Sequence, residues 1–138
     1  MLNLILGVTG VGKSTLFNYL NEIPMVVVEG KNGKTVIDIQ PGYKGSTVIA
    51  PIGHSFISET TIPNFCKPNN INVSYVDCAG EFDTKDILQS IINSYFKYEL
   101  ANKAKQVKLT LVVNYNDIYG NRATCFRNVL KEIGRAHV

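Results

Sequence analysis

The fold of this chain is decided by the stretch Gly7-Val8-Thr9-Gly10-Val11-Gly12-Lys13-Ser14-Thr15. It fits the pattern G-x-x-x-x-G-K-[ST], which in folded proteins joins a strand to a helix. The neighbouring residues suit that placement, because the apolar run 2–6 predicts a buried strand and residues 15–20 predict the start of an amphipathic helix. The sequence therefore predicts a strand, a phosphate-binding loop and a helix in that order.

Each part of this loop has a role in binding a nucleoside triphosphate. Glycines let the backbone curl around a phosphate with its N–H groups pointing inward, and the helix N-terminus adds a partial positive charge. Lys13 is expected to reach the β- and γ-phosphates and Ser14 to ligate Mg²⁺. The alternative is a glycine turn that binds nothing, which the full match in its strand–loop–helix context disfavours. The predicted nucleotide-binding residues are Thr9, Gly10, Val11, Gly12, Lys13, Ser14 and Thr15.

A second motif ends the next alternating segment of the chain. Residues 71–77 alternate between apolar and polar side chains and predict a strand, after which Asp77-Cys78-Ala79-Gly80 gives the pattern D-x-x-G. This pattern is common in turns, but after a strand and downstream of a phosphate loop it is the expected companion motif. We predict that Asp77 holds Mg²⁺ through a water and that the Gly80 N–H contacts the γ-phosphate, so hydrolysis releases the following segment.

Residues 40–70 are rich in Pro, Gly, Ser and Thr and predict a long loop. The loop lies between the phosphate loop and the second motif, where nucleotide switches place their first switch segment. We predict that Thr60 ligates Mg²⁺ through its hydroxyl and meets the γ-phosphate through its N–H, with Thr61 as second choice. The alternative is that both are hydroxyl residues of a polar loop. His54 is expected to pack within the loop and to take no part in the chemistry.

The remaining segments predict further strands and helices. Residues 25–28 and 35–39 are strand-like on either side of a glycine turn and suggest a hairpin. Residues 84–105 carry apolar side chains at helical spacing, and we expect that stripe to belong to the core. Residues 107–113 predict another buried strand, and residues 122–133 predict a further helix.

The composition limits the classes of partner. A chain of 138 residues suits one domain, and a small, unclustered net charge of +3 gives no reason to expect nucleic-acid binding. Three cysteines without CxxC spacing argue against a disulfide framework and a zinc site, and they suit a reducing compartment. The apolar start is too short for a signal-peptide core or a membrane span. We therefore expect a cytoplasmic protein.

We interpret the last residues of the chain as sequence that does not belong to the natural protein. Residues 133–138, Ile-Gly-Arg-Ala-His-Val, back-translate to ATC GGA AGA GCA CAC GTC, which matches the start of a common sequencing-library adapter. We expect the natural sequence to end near Lys131 or Glu132 and residues 133–138 to be a non-native tail. Independent reads that cross this point without adapter sequence would contradict that interpretation.

In this order, the phosphate loop, the threonine-bearing loop and Asp77–Gly80 resemble a P-loop GTPase of the translation-factor class. The run 81–84, Glu-Phe-Asp-Thr, is similar to the GLFDT-like run of septin, chloroplast-import (Toc) and immunity-associated GTPases. The pair Ser58 and Thr60 is similar to the S-x-T of their first switch. The chain also resembles uncharacterised G-domain proteins of protists.

The resemblance covers residues 2–130 and implies an α/β fold. This is the three-layer α/β/α P-loop NTPase fold with a mostly parallel sheet, incomplete at its C-terminus, with phosphates at the carboxyl ends of the strands. Residues 1–132 are then a partial G domain. Its phosphate loop is 7–15, its first switch region 40–70 and its second switch region 77–84.

The resemblance implies a Mg²⁺-dependent switch with GTP or GDP as its nucleotide. Ser14, Thr60 and Asp77 would hold Mg²⁺. Glu81 occupies the position where Ras-like GTPases place a water-orienting glutamine, and an ionised carboxylate cannot donate a hydrogen bond. We therefore predict slow GTP hydrolysis, stimulated by a homodimer across the nucleotide face or by an effector that the sequence does not identify. The predicted catalytic residues are Lys13, Thr60, Gly80 and Glu81.

Two alternatives remain open at the level of sequence. Asn114-Tyr115-Asn116-Asp117 is not the guanine-reading N-K-x-D, because Asn116 replaces the lysine and the segment follows the wrong strand. The sequence therefore does not distinguish guanine from adenine, and an ATP-binding P-loop protein is one alternative. A transport-type ATPase, however, needs a glutamate directly after the aspartate of its second motif, and in this chain Cys78 follows Asp77. The other is a non-hydrolysing interaction module in which the nucleotide is structural.

Overall fold

The computed structural model of this chain describes residues 1–30, 33–45, 48–53, 62–69, 71–80 and 87–119, with five further helical positions between 124 and 134. In chain order, the helices and strands are β1 (Leu2–Leu6), α1 (Lys13–Leu20), β2 (Met25–Glu29), β3 (Thr35–Ile39), β4 (Asn64–Cys66), β5 (Ser74–Asp77), α2 (Ile87–Lys103), β6 (Val107–Leu111) and α3 (Tyr115–Tyr119).

Four of these strands form one sheet in the order β4-β5-β1-β6. Strand β1 is central and pairs in parallel with β5 on one side and β6 on the other, whereas β4 is antiparallel to β5. All five residues of β1 are buried. A near-continuous apolar run is typical of a parallel strand that is covered on both faces. The chain is therefore a mixed α/β structure with a mostly parallel sheet, as predicted at this level.

The core consists of two clusters on opposite faces of β1, because successive side chains of a strand point to opposite sides. One cluster contains Leu2, Leu4 and Leu6 and is packed against by Leu100 of α2. The other contains Ile5 with Phe17 of α1. The central strand is thus packed against α1 on one face and against α2 on the other.

The predicted hairpin is confirmed as the antiparallel pair β2–β3, which forms a separate two-stranded sheet. Val27 and Ile37 lie directly opposite each other, and both side chains are exposed. The hairpin precedes the segment 40–70, in which the short strand β4 was not predicted. That strand has only three residues, too few for an alternating pattern to be recognised in the sequence.

The prediction that the apolar stripe of residues 84–105 belongs to the core is wrong for much of α2. Leu88 and Ile91 are 67% and 60% exposed, and Ile92 and Tyr95 are exposed too. The helix contacts the described core near its C-terminal end, through Leu100. Helical periodicity shows that one side of a helix is apolar, but it does not show what covers that side.

Strand β6 also differs from the prediction. It ends at Leu111 instead of residue 113, and Val107 and Leu109 are exposed although a buried strand was expected. Strand β6 lies at the edge of the described sheet, so one of its two sides pairs with β1 and the other pairs with no described strand. Within the part of the chain that the structure describes, no helix is long and apolar enough to span a membrane.

Candidate functional site

The stretch 7–12 connects β1 to α1, as the sequence predicts. Gly12 immediately precedes the helix with φ 97° and ψ 23°, a left-handed conformation that residues with a Cβ rarely adopt. Among the residues that the structure describes, no side chain caps this helix end, and its first turn contains no acidic residue. The first N–H groups of a helix have no partner within the helix, and a helix end of this kind can bind an anion.

The predicted nucleotide-binding residues all belong to this loop or to the first turn of α1. In the loop, Thr9 and Val11 are half-buried, and Gly10 and Gly12 are exposed. In the helix, Lys13 is buried, and Ser14 and Thr15 are half-buried. The structure therefore brings the whole predicted set to the carboxyl end of the central strand.

The Lys13 side chain folds back across the loop. It is only 7% exposed, and its Nζ donates a hydrogen bond of 2.8 Å to the carbonyl oxygen of Val8. Burying an ammonium group costs free energy unless it is hydrogen-bonded, and this contact provides such a bond. This hydrogen bond keeps the positive charge of Lys13 at the loop, because its acceptor, Val8, is a loop residue five positions earlier in the sequence.

Ser14 and Asp77 are joined by a hydrogen bond. Ser14 Oγ donates to Asp77 Oδ2 over 2.8 Å, across 63 residues of sequence. Asp77 is the last residue of β5 and is fully buried, and its register partner is Ile5 of β1. Because the carboxyl ends of adjacent parallel strands meet at one edge of the sheet, the strand order itself brings these residues together. Two of the three predicted Mg²⁺ ligands are thus adjacent.

Asn64 is a site residue that the sequence reasoning missed. It lies opposite Asp77 in the antiparallel β4–β5 pair, and its Nδ2 approaches Asp77 Oδ2 to 3.5 Å. Nothing in the sequence around Asn64 distinguishes it from other polar residues of the segment 40–70. Its place beside Asp77 follows only from the strand register.

Gly80 lies directly against the phosphate loop. A Cβ atom built on Gly80 would be 2.9 Å from both the N and the Cα of Thr9, closer than real Cβ contacts occur. Only glycine therefore fits here without a shift of backbone. Thr9 Oγ1, which would also collide with such a Cβ atom, is buried with no hydrogen-bond partner among the described residues. The D-x-x-G motif and the phosphate loop are in contact at this point.

Other predicted site residues lie outside the described part of the chain. These are Thr60, its alternative Thr61 and Glu81; His54, which we expect only to pack within the loop, also lies outside the described residues. Their roles remain predictions.

The segment that resembles a guanine-reading motif has a different local role. Asn114 precedes α3, and its Oδ1 accepts a hydrogen bond of 2.9 Å from the Asn116 N–H. A side-chain oxygen that binds a first-turn N–H group is a helix N-cap. Asn114 therefore serves as the N-cap of α3.

The oxygen atoms of Ser14 and Asp77 suit a hard cation. Mg²⁺ is usually held by one or two carboxylates together with substrate phosphates instead of by a cage made only of protein groups. The two oxygen donors therefore suit Mg²⁺ that is bound together with a phosphate ligand. The described residues contain no group of three or more His, Cys, Asp and Glu side chains that could hold a metal ion.

Comparisons with known proteins identify no relative of this chain. No protein-family model, no curated protein and no solved structure matches the chain. The resemblance to P-loop GTPases therefore depends on the motifs of this sequence.

Proposed function

We propose that this chain is a Mg²⁺-dependent GTP-binding switch protein with slow GTP hydrolysis. The observation that carries the proposal is the 2.8 Å hydrogen bond between Ser14 Oγ and Asp77 Oδ2. In P-loop NTPases, the hydroxyl of the phosphate loop and an aspartate of a second motif together hold Mg²⁺. A glycine turn without function would not require a fully buried carboxylate beside its serine.

The phosphate loop provides the binding groups for the triphosphate. Lys13 exchanges its hydrogen bond with the Val8 carbonyl for hydrogen bonds to phosphate oxygens, in which the acceptor as well as the donor is charged. The backbone amides of the loop and the uncapped start of α1 add further donors. In this proposal, Lys13, the loop amides and the start of α1 bind the negatively charged phosphates, and no side chain from outside the loop is needed for that.

The response to the γ-phosphate belongs to the second motif in this proposal. Gly80 contacts Thr9, so a change in the phosphate loop reaches the start of the second switch region directly. Ser14 and Asp77 would hold Mg²⁺, which would neutralise negative charge on the phosphates. Thr60 is the proposed third Mg²⁺ ligand, and Glu81 is the proposed cause of slow turnover.

The proposed fold is the three-layer α/β/α P-loop NTPase fold. Support comes from the position of the phosphate loop after a central strand with two parallel neighbours. The packing of α1 and α2 against opposite core clusters of β1 agrees with helices on both faces of the sheet. A cytoplasmic location is part of the same proposal.

A competition experiment tests the nucleotide assignment. Fluorescently labelled GTP is bound to the full chain with Mg²⁺ and displaced by unlabelled GTP, GDP or ATP, and the titration is repeated with EDTA. We expect GTP to displace the label at a lower concentration than ATP and EDTA to weaken binding. Equal displacement by ATP would contradict the choice of guanine, and absence of binding would contradict the proposal as a whole.

A further inference from the structure

Asn18 of α1 is hydrogen-bonded in both directions to the backbone of one residue in the segment 48–53. Its Nδ2 donates to the Ala50 carbonyl oxygen over 2.8 Å, and its Oδ1 accepts from the Ala50 N–H over 2.9 Å. Both residues are fully buried and are 32 residues apart in sequence. Because segment 48–53 belongs to no helix or strand, the Asn18 amide satisfies the buried backbone groups that a sheet partner would otherwise satisfy.

The same face of α1 carries the candidate metal ligand. Ser14 and Asn18 are four residues apart, so they lie one above the other on the helix, about 6 Å apart along its axis. Ser14 contacts Asp77, and Asn18 contacts Ala50. Phe17 and Ala50 belong to the same buried cluster, which adds an apolar contact to the two hydrogen bonds. Segment 48–53 is therefore fixed one helical turn from the candidate Mg²⁺ site.

We propose that Asn18 is a positioning residue, which holds segment 48–53 on the phosphate-binding helix and so couples the Mg²⁺–triphosphate site to the first switch region. The coupling rests on the proposed function, because it assigns a regulation to that same site. Thr60, the proposed Mg²⁺ ligand, is ten residues beyond Ala50 in the sequence. If the chain is already fixed at Ala50, the residues that follow it have less conformational entropy to lose when Thr60 binds Mg²⁺.

Asn21 provides a matched control on the same helix. It is also a buried asparagine, but its Nδ2 donates to the Phe17 carbonyl oxygen within α1, at 2.7 Å. The described residues give it no hydrogen bond to segment 48–53. A leucine replaces asparagine with similar volume and without hydrogen-bonding atoms, so Asn18→Leu and Asn21→Leu remove comparable groups. Only Asn18→Leu removes the contact with Ala50.

The test measures backbone protection and nucleotide affinity on the full chain. Since each hydrogen bond contributes modestly, Asn18→Leu is expected to speed hydrogen exchange of the Ala50 amide by about 10-fold or more relative to Asn21→Leu. It is also expected to weaken Mg²⁺–GTP binding by about 10-fold while leaving GDP binding in EDTA unchanged. If Asn18→Leu does not fold, Asn18→Ser, which keeps a donor and an acceptor, is expected to shift both measurements less and in the same direction.

Two results would overturn the positioning role. One is equal exchange of the Ala50 amide in the Asn18 and Asn21 variants. The other is an equal loss of affinity for Mg²⁺–GTP and for GDP in EDTA, which a general structural defect would produce. If the wild-type chain binds no nucleotide, the proposed function and the coupling are overturned together. If the wild type binds nucleotide and the Asn18 variant binds it equally well, the coupling alone is overturned.

Discussion

Ser14 Oγ donates a hydrogen bond of 2.8 Å to Asp77 Oδ2, although 63 residues separate the two in the chain. Strands β1 and β5 are parallel neighbours, so the residue that ends β5 lies beside the loop that follows β1. Two motifs that are far apart in the sequence thus meet at one edge of the sheet. This meeting is the physical basis of the proposed Mg²⁺–triphosphate site.

Ser14→Ala is expected to weaken the Mg²⁺ dependence of nucleotide binding. The change removes an oxygen donor of the proposed ion and the hydroxyl that contacts Asp77. The Mg²⁺ concentration for half-maximal GTP binding should rise by about 10- to 100-fold, the range typical for loss of a group that supports a metal site. Titration of GTP binding with Mg²⁺ measures this, and Ser90→Ala, at an exposed position of α2, is the control. An unchanged Mg²⁺ requirement in Ser14→Ala would argue against the site.

Gly80→Ala is expected to destabilise the fold, because the added Cβ collides with the backbone of Thr9. Overpacking of this kind costs about 1–3 kcal/mol. Urea unfolding measures the free energy difference. Ser90→Ala is the control, since Ser90 lies at an exposed position of α2 and the change adds no atom. Equal stability of the two variants would show that Gly80 does not approach the phosphate loop as described.

Glu81→Gln is expected to raise the rate of GTP hydrolysis, because glutamine can donate a hydrogen bond to the attacking water and an ionised carboxylate cannot. A positioned group of this kind is worth about 100-fold or more in favourable cases, so an increase of about 10-fold would be well resolved. Single-turnover release of phosphate measures it. Glu99→Gln, whose carboxylate pairs with Lys103 on α2 at 3.2 Å, is the control. Unchanged turnover in Glu81→Gln would remove Glu81 from the catalytic site.

Phe17→Ala is expected to lower the free energy of unfolding by about 3–5 kcal/mol, as is typical when a large core side chain is removed. Phe17 is fully buried and belongs to the same core cluster as Ile5 of β1 and Ala50. Phe65→Ala on β4 is the matched control, because that ring is 48% exposed. Urea unfolding of the two variants compares them directly, and similar losses would contradict the described core.

The sequence predicted the parts of the site that depend on local pattern. The strand–loop–helix at residues 2–20 and the hairpin β2–β3 follow from periodicity and from glycine positions. The strand that ends at Asp77 was also recognised, although it begins at Ser74 and not at residue 71. In each case the signal lies within a few consecutive residues.

The contacts that the sequence did not predict depend on residues far apart in the chain. Asn64 reaches Asp77 through strand register, and Asn18 reaches Ala50 through the packing of an irregular segment on α1. An isolated asparagine gives no local pattern by which either contact could be recognised. The exposure of Ile91 was missed for a related reason, since periodicity identifies an apolar helix face but not its covering.

The most direct test of the proposed site is nucleotide binding by Lys13→Ala compared with Lys34→Ala. Lys13 is buried at the phosphate loop, whereas Lys34 is exposed next to the β2–β3 hairpin turn, so both variants lose one positive charge and only one loses it at the proposed site. Calorimetric titration of Mg²⁺–GTP into wild type and both variants should show saturable binding in wild type and Lys34→Ala and none in Lys13→Ala. Equal affinity of all three proteins would contradict the proposed phosphate site.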